Sequence, residues 1–169
     1  KRSACTSNDD GPLSKSALKS AFPNSFPYRI MPRAHLICKA EFCAAFRLHN
    51  PSKDDAWNRE TYGICNSDSF HGHNWLMEVE VSGEIHEETG MVMDLLKLQA
   101  LGQEKLISKV DHRNLNTDVD FLAGKLTTTE NLAAAFWEQL EPELPQGVQL
   151  REIRLEESRD YSVRYCGAD

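Results

Sequence analysis

Along residues 77–82, Met77, Val79 and Val81 alternate with Glu78, Glu80 and Ser82. Side chains two apart share a face in an extended chain, so this segment reads as a strand with one face buried and the other in water. Such a strand cannot stand alone: it requires a layer over its apolar face and partners along its edges. His71 and His73 have the parity of Met77, so two imidazoles belong to the buried side and are spaced to grip one ion.

The neighbouring segments supply that layer and those partners. From His35 to Phe46, HLICKAEFCAAF carries no turn signals and suggests a largely buried strand. Residues 49–70, with Asn50, Pro51, Asn58, Gly63 and Asn66, carry turn chemistry, and a loop of that length in a compact domain is often functional. Asp94 is an N-cap candidate for a helix with Leu95, Leu98, Leu101, Leu106 and Val110 at near-helical spacing. Thr127 and Glu130 fit a capping box for a second helix, whose stripe is Leu132, Ala133, Phe136 and Leu140 and which Pro142 and Pro145 stop. Two further strands follow, one with Ile153, Leu155 and Glu157 on a single face, the other with Tyr161, Val163 and Tyr165 alternating. The order strand, strand, helix, helix, strand, strand implies an α+β domain with an antiparallel sheet and helices on one face.

At 169 residues the chain has the size of one domain. Residues 1–33 are rich in Ser, Pro, Lys and Ala without helical periodicity and read as an arm or linker, leaving 34–169 as the folded domain. The net charge of −7 and pI near 5.4 exclude a basic nucleic-acid-binding surface. No apolar run reaches the roughly 18 to 20 residues of a membrane span. Five cysteines, at 5, 38, 43, 65 and 166, lack CxxC spacing or a regular framework, which fits a reducing, cytoplasmic setting.

The motifs FCAAFRL, YGICNSDSFHGHN, TGMVMDL, VDHRNLN, TTTENLA and RLEES follow one another between residues 35 and 167. In that order they resemble the 6-pyruvoyl-tetrahydropterin synthase family. The resemblance implies the tunnelling fold (T-fold): a four-stranded antiparallel sheet backed by two helices, with subunits closing a barrel, typically a homohexamer. It implies zinc as cofactor and a lyase reaction that converts 7,8-dihydroneopterin triphosphate to 6-pyruvoyl-tetrahydropterin with loss of triphosphate.

By the same resemblance, His71 and His73 are zinc ligands, and the family's third ligand, the His of FxAxHxL, falls on Phe46. A phenyl ring has no lone pair to give. Cys43 and His49 lie close in sequence but have the opposite strand parity, His49 being the better substitute. Phe46 therefore also admits a pterin-binding protein with weakened catalysis, and a 6-carboxy-tetrahydropterin synthase is a third reading, although the six-residue step from Cys65 to His71 favours the 6-pyruvoyl enzymes. Cys65 matches the catalytic cysteine, although a cysteine taken alone is far more often a small buried hydrophobe. Asp111 and His112 match the proton-relaying pair, or mark a helix C-terminus where a cationic His112 complements the dipole. Glu157 matches the carboxylate that anchors the pterin, and its parity with Ile153 and Leu155 agrees. Thr129 and Glu130 align with pterin-contacting residues, while Arg47 or Lys53 would meet the triphosphate.

Overall fold

The computed structural model describes residues 31–168. The arm expected over residues 1–33 lies almost wholly outside the described residues. Two long strands, β1 (Arg33–Phe46) and β2 (His71–Glu84), pair antiparallel over their full length, from Arg33 opposite Glu84 to Phe46 opposite His71. Strand β4 (Gln149–Glu156) pairs antiparallel with β2 across a bulge at Glu80/Val81, and β5 (Ser162–Tyr165) pairs with β4.

The expected four-stranded antiparallel sheet is corrected at its edge. A two-residue strand, β3 (Arg113–Asn114), lies parallel to β1 at Ala44 and Ala45, giving a five-stranded mixed sheet in the order β3-β1-β2-β4-β5. Two residues, Arg and Asn, show no apolar alternation. Backbone bonds hold them instead: His112 N–H donates to the Cys43 carbonyl (2.7 Å) and Leu115 N–H to that of Ala45 (2.8 Å).

The helical layer is also richer than periodicity suggests. Helix α1 (Asp55–Tyr62) sits inside the expected loop. Its one buried residue is Asn58, at 0% exposure, so it has no apolar stripe to betray it. The Asn58 amide accepts from Asn50 N–H (2.7 Å) and donates to the carbonyls of Asn50, Lys53 and Asp54 (3.0, 3.2 and 2.9 Å). Helix α2 (Leu95–Gly102) is capped by Asp94, as its sequence indicates, and runs through a π turn (Gln103–Ile107) into α3 (Ser108–Val110). The five-residue step from Leu101 to Leu106 is where the π turn inserts its extra residue, keeping Leu98, Leu106 and Val110 on the core side.

Helix α4 (Thr129–Leu140) is capped by Thr128, which accepts from Asn131 N–H, rather than by a Thr127–Glu130 box. Thr127 is buried and bonds the Arg47 carbonyl (3.0 Å), which removes it from the cap. The core lies between sheet and helices. Phe42 stacks on Trp75 with centroids 5.8 Å apart and tilts against Phe136 of α4, while Met77, Val79, Ile153 and Leu155 meet Leu98, Leu132 and Leu140.

Because one amide satisfies four backbone groups around α1, Asn58→Ala is expected to lower stability by about 1–3 kcal/mol and to speed amide exchange over residues 50–62. Urea denaturation with hydrogen exchange checks this; unchanged midpoint and exchange would show that α1 is held by other means.

Candidate active site

The β1–β2 register builds one end of the site. Phe46 faces His71 across the strand pair, Ala44 faces His73, and Gly72 lies between the two histidines. A Cβ on Gly72 would come within 3.2 Å of the Ala44 carbonyl oxygen, so the strands approach closely there. The Phe46 ring, 2% exposed, packs on His71 with centroids 4.4 Å apart and on His73 at 5.7 Å.

Glu157 enters from the far side, one residue past β4, where its N–H donates to the Tyr161 carbonyl (3.1 Å). One carboxylate oxygen accepts from the Thr129 hydroxyl (2.7 Å); the other lies 3.2 Å from His73 Nε2. The result is a continuous link from His73 through Glu157 to Thr129 at the N-terminus of α4. It borders a cleft of about 480 Å³ lined by Thr129, Glu130, Glu157, Tyr161, Ser162 and Val163.

Both ring nitrogens of His71 are shut off from solvent and have no hydrogen-bond partner among the described residues. Burial first, then the neighbouring His73, holds its pKa below the ordinary range, against a smaller opposing pull from Glu157, so the ring is neutral near neutral pH. Cys65 sits in the 3-10 turn Gly63–Asn66, whose backbone is tied to β1's end by Leu48 N–H donating to the Cys65 carbonyl (2.8 Å). Burial raises its thiol pKa and the Glu157 charge raises it further.

Asp111 and His112 lie elsewhere, on the outer edge of β1. Asp111 Oδ1 accepts from Cys43 N–H (2.9 Å), which with the adjacent His112 holds its carboxyl below the usual range. His112 has φ +57°, its Nδ1 is 3.0 Å from Asp111, and its side chain is 83% exposed. Among the described residues neither forms a hydrogen bond or ion pair with Cys65, His71, His73 or Glu157. His49 is engaged too: its Nδ1 takes hydrogen bonds from Arg47 (3.2 Å) and Asn66 (3.1 Å). Lys53 lies over the Trp57 ring at 5.6 Å, and Glu130 is exposed.

Residues 35–168 match the profile of 6-pyruvoyl tetrahydropterin synthase. The 6-pyruvoyl tetrahydrobiopterin synthase of Drosophila melanogaster is 36% identical over 80% of this chain and 81% of its own; that of Homo sapiens is 37% identical over 80% and 92%. The solved structure of Caenorhabditis elegans 6-pyruvoyl tetrahydropterin synthase superposes with a TM-score of 0.76 at 36% identity, covering 82% of this chain and 98% of that one. This chain belongs to the 6-pyruvoyl tetrahydropterin synthase family.

Membership brings zinc into question. A three-ligand zinc site needs a third donor beside two imidazoles, and the Phe46 ring stands against both. Among the described residues no group of three His, Cys, Asp or Glu side chains is arranged to hold a metal. The described residues do not fit the implied ion.

Motif reading passed over Asn116 and Asn66. The Asn116 amide brackets Arg47, accepting from its N–H (2.9 Å) and donating to its carbonyl (3.0 Å), and Asn66 donates to the Leu48 carbonyl (2.6 Å). Both pin the strand end that carries Phe46 and Arg47, but an Asn in a loop signals only turn chemistry until the fold is known.

Because Glu157 raises the Cys65 pKa, Glu157→Gln is expected to lower it and so accelerate alkylation of Cys65 at neutral pH. Iodoacetamide kinetics resolved by peptide mass spectrometry would measure this. A Cys65 rate identical in both proteins would mean that the carboxylate's field does not reach the thiol.

Proposed function

We propose that this protein is a 6-pyruvoyl-tetrahydropterin synthase-type lyase, converting 7,8-dihydroneopterin triphosphate to 6-pyruvoyl-tetrahydropterin with loss of triphosphate. The observation that carries the reading is the His73–Glu157–Thr129 link bordering a pterin-sized cleft, in a protein about as similar to fly as to human 6-pyruvoyl tetrahydrobiopterin synthase.

A carboxylate offers about four lone-pair directions. Thr129 and His73 take one each, leaving two for the paired N–H donors of a pterin edge. Anchored there, the substrate would extend its hydroxylated tail toward His71 and Cys65. The Cys65 thiolate, as base, would remove a proton from a carbinol carbon of that tail; the electrons released as the carbinol carbons become ketones reduce the ring C=N bond, and triphosphate leaves with its bonding pair. No external reductant is needed. A thiol with a raised pKa is a strong base once ionised, so the rate should climb with pH as Cys65 ionises.

Asp111 and His112 fit the relay role only if they act on another copy's cluster. Asp111 is half-buried and His112 exposed on the edge of β1, which among the described residues has a strand partner only at Ala44 and Ala45. Unpaired edges are normally covered, and closure of several sheets into a T-fold barrel would bring that edge to a neighbouring protomer. We read the assembly as a homo-oligomer, a hexamer by family resemblance.

Two outcomes check this reading. Glu157→Ala should weaken pterin binding by roughly 10- to 100-fold, whereas Glu156→Ala, which removes a partner of Arg154 (2.8 Å), should barely alter it; equal losses in a fluorescence titration would displace the anchor from Glu157. Mixed oligomers of the inactive variants Cys65→Ala and His112→Ala should regain activity if each site draws on two protomers, and mixtures as inactive as their parents would place the relay within one protomer.

A further inference from the structure

We infer that in this protein His71 and His73 act without a metal, as a pair of hydrogen-bonding groups for the hydroxyls of the substrate's tail, with Phe46 as the apolar wall behind them. This rests on the pterin reading of the cleft and adds how the tail is held.

The strand register makes the argument. Phe46 is cross-strand partner to His71 and lies in the site's wall, not beside it. Its ring contacts His71, His73 and Trp75 at centroid distances of 4.4, 5.7 and 5.6 Å, so it is wedged among three rings and cannot swing away without opening the core. Among the described residues none is placed to supply the donor it lacks. His49 is held by Arg47 and Asn66, and Glu157 is divided between His73 and Thr129. Losing one of three protein ligands removes orders of magnitude of zinc affinity.

What remains suits a hydroxyl. A neutral imidazole carries one donor and one acceptor, and an alcohol both donates and accepts. His71 has both ring nitrogens buried without a partner, a costly arrangement that a ligand hydroxyl would relieve. His73 is oriented by Glu157, the same carboxylate assigned to the pterin, so pterin head and hydroxylated tail would be read by one connected set of groups.

Zinc content by elemental analysis and ligand affinity by fluorescence titration test this together. After chelation and re-exposure to zinc, the protein as it stands should retain well below one ion per protomer, whereas Phe46→His should approach one. In the presence of EDTA, neopterin, which carries the hydroxylated tail, should bind roughly tenfold more tightly than unsubstituted pterin, and His71→Phe should erase that preference while leaving pterin binding intact. One tightly held zinc per protomer in the unsubstituted protein would overturn the inference, as would equal affinity for the two ligands or a preference that survives His71→Phe. Retention of pterin binding by Glu157→Ala would instead overturn the underlying assignment of the cleft, so the two failures are distinguishable.

Discussion

The fourteen-residue antiparallel register of β1 against β2 is the constraint on which the rest depends. A slip of one residue would turn His71 and His73 to the other face and expose Trp75, Met77, Val79 and Val81 to water. Burying those four side chains is worth several kcal/mol at about 1.5–3 kcal/mol each, which outweighs anything the polar ends of the strands could gain by shifting. The site's histidines are thus positioned by residues that take no part in chemistry. Phe46 belongs to the same apolar row, and its ring is as much a core residue as a wall of the site.

Glu157 is the second organising element, and its effects pull in two directions. Its charge raises the Cys65 pKa and partly counters the burial that keeps His71 neutral. With no ligand the thiol is therefore held protonated and unreactive. On the proposed reading, a ligand that donates N–H groups to Glu157 would partly offset its field at Cys65, coupling occupancy of the proposed anchor to ionisation of the proposed base through one carboxylate.

Much of this was legible in the sequence, for physical reasons that also explain the omissions. Alternation marked β2 because one of its faces is buried and the other wet; the same alternation carried on to His71, His73 and, one residue past β4, to Glu157. The α4 stripe and the Asp94 cap were legible because 3.6-residue periodicity and a short acceptor side chain are local signals. Helix α1 was not, since its one buried residue is a polar Asn58 bonded to backbone. Strand β3 was not, since two residues cannot display a period. The cap of α4 slipped by one because Thr127 and Thr128 look alike in sequence, and only the reach to the Arg47 carbonyl tells them apart. The distance of Asp111 and His112 from Cys65 was invisible, because motifs give order along the sequence and not which edge of the sheet they occupy.

The acidic net charge leaves the question of how a polyphosphate would be met, and Arg47 supplies a physical answer. Its guanidinium donates to the Asn66 carbonyl (3.3 Å), next to Cys65, and lies 5.9 Å from the centre of the Phe70 ring, next to His71, so it stands one residue from both. Its acidic partner is Asp68 (2.5 Å), whose side chain is 92% exposed. The Asp68 carboxylate stands in water, which screens it, whereas a phosphate would receive charge-assisted hydrogen bonds from the guanidinium. On the proposed reading a phosphate would displace Asp68 from this guanidinium. Lys53, just before α1, lies over the Trp57 ring and among the described residues forms no hydrogen bond or ion pair with the turn that carries Cys65. On the proposed reading, a single arginine whose acidic partner faces water would let a protein of charge −7 receive an anionic tail.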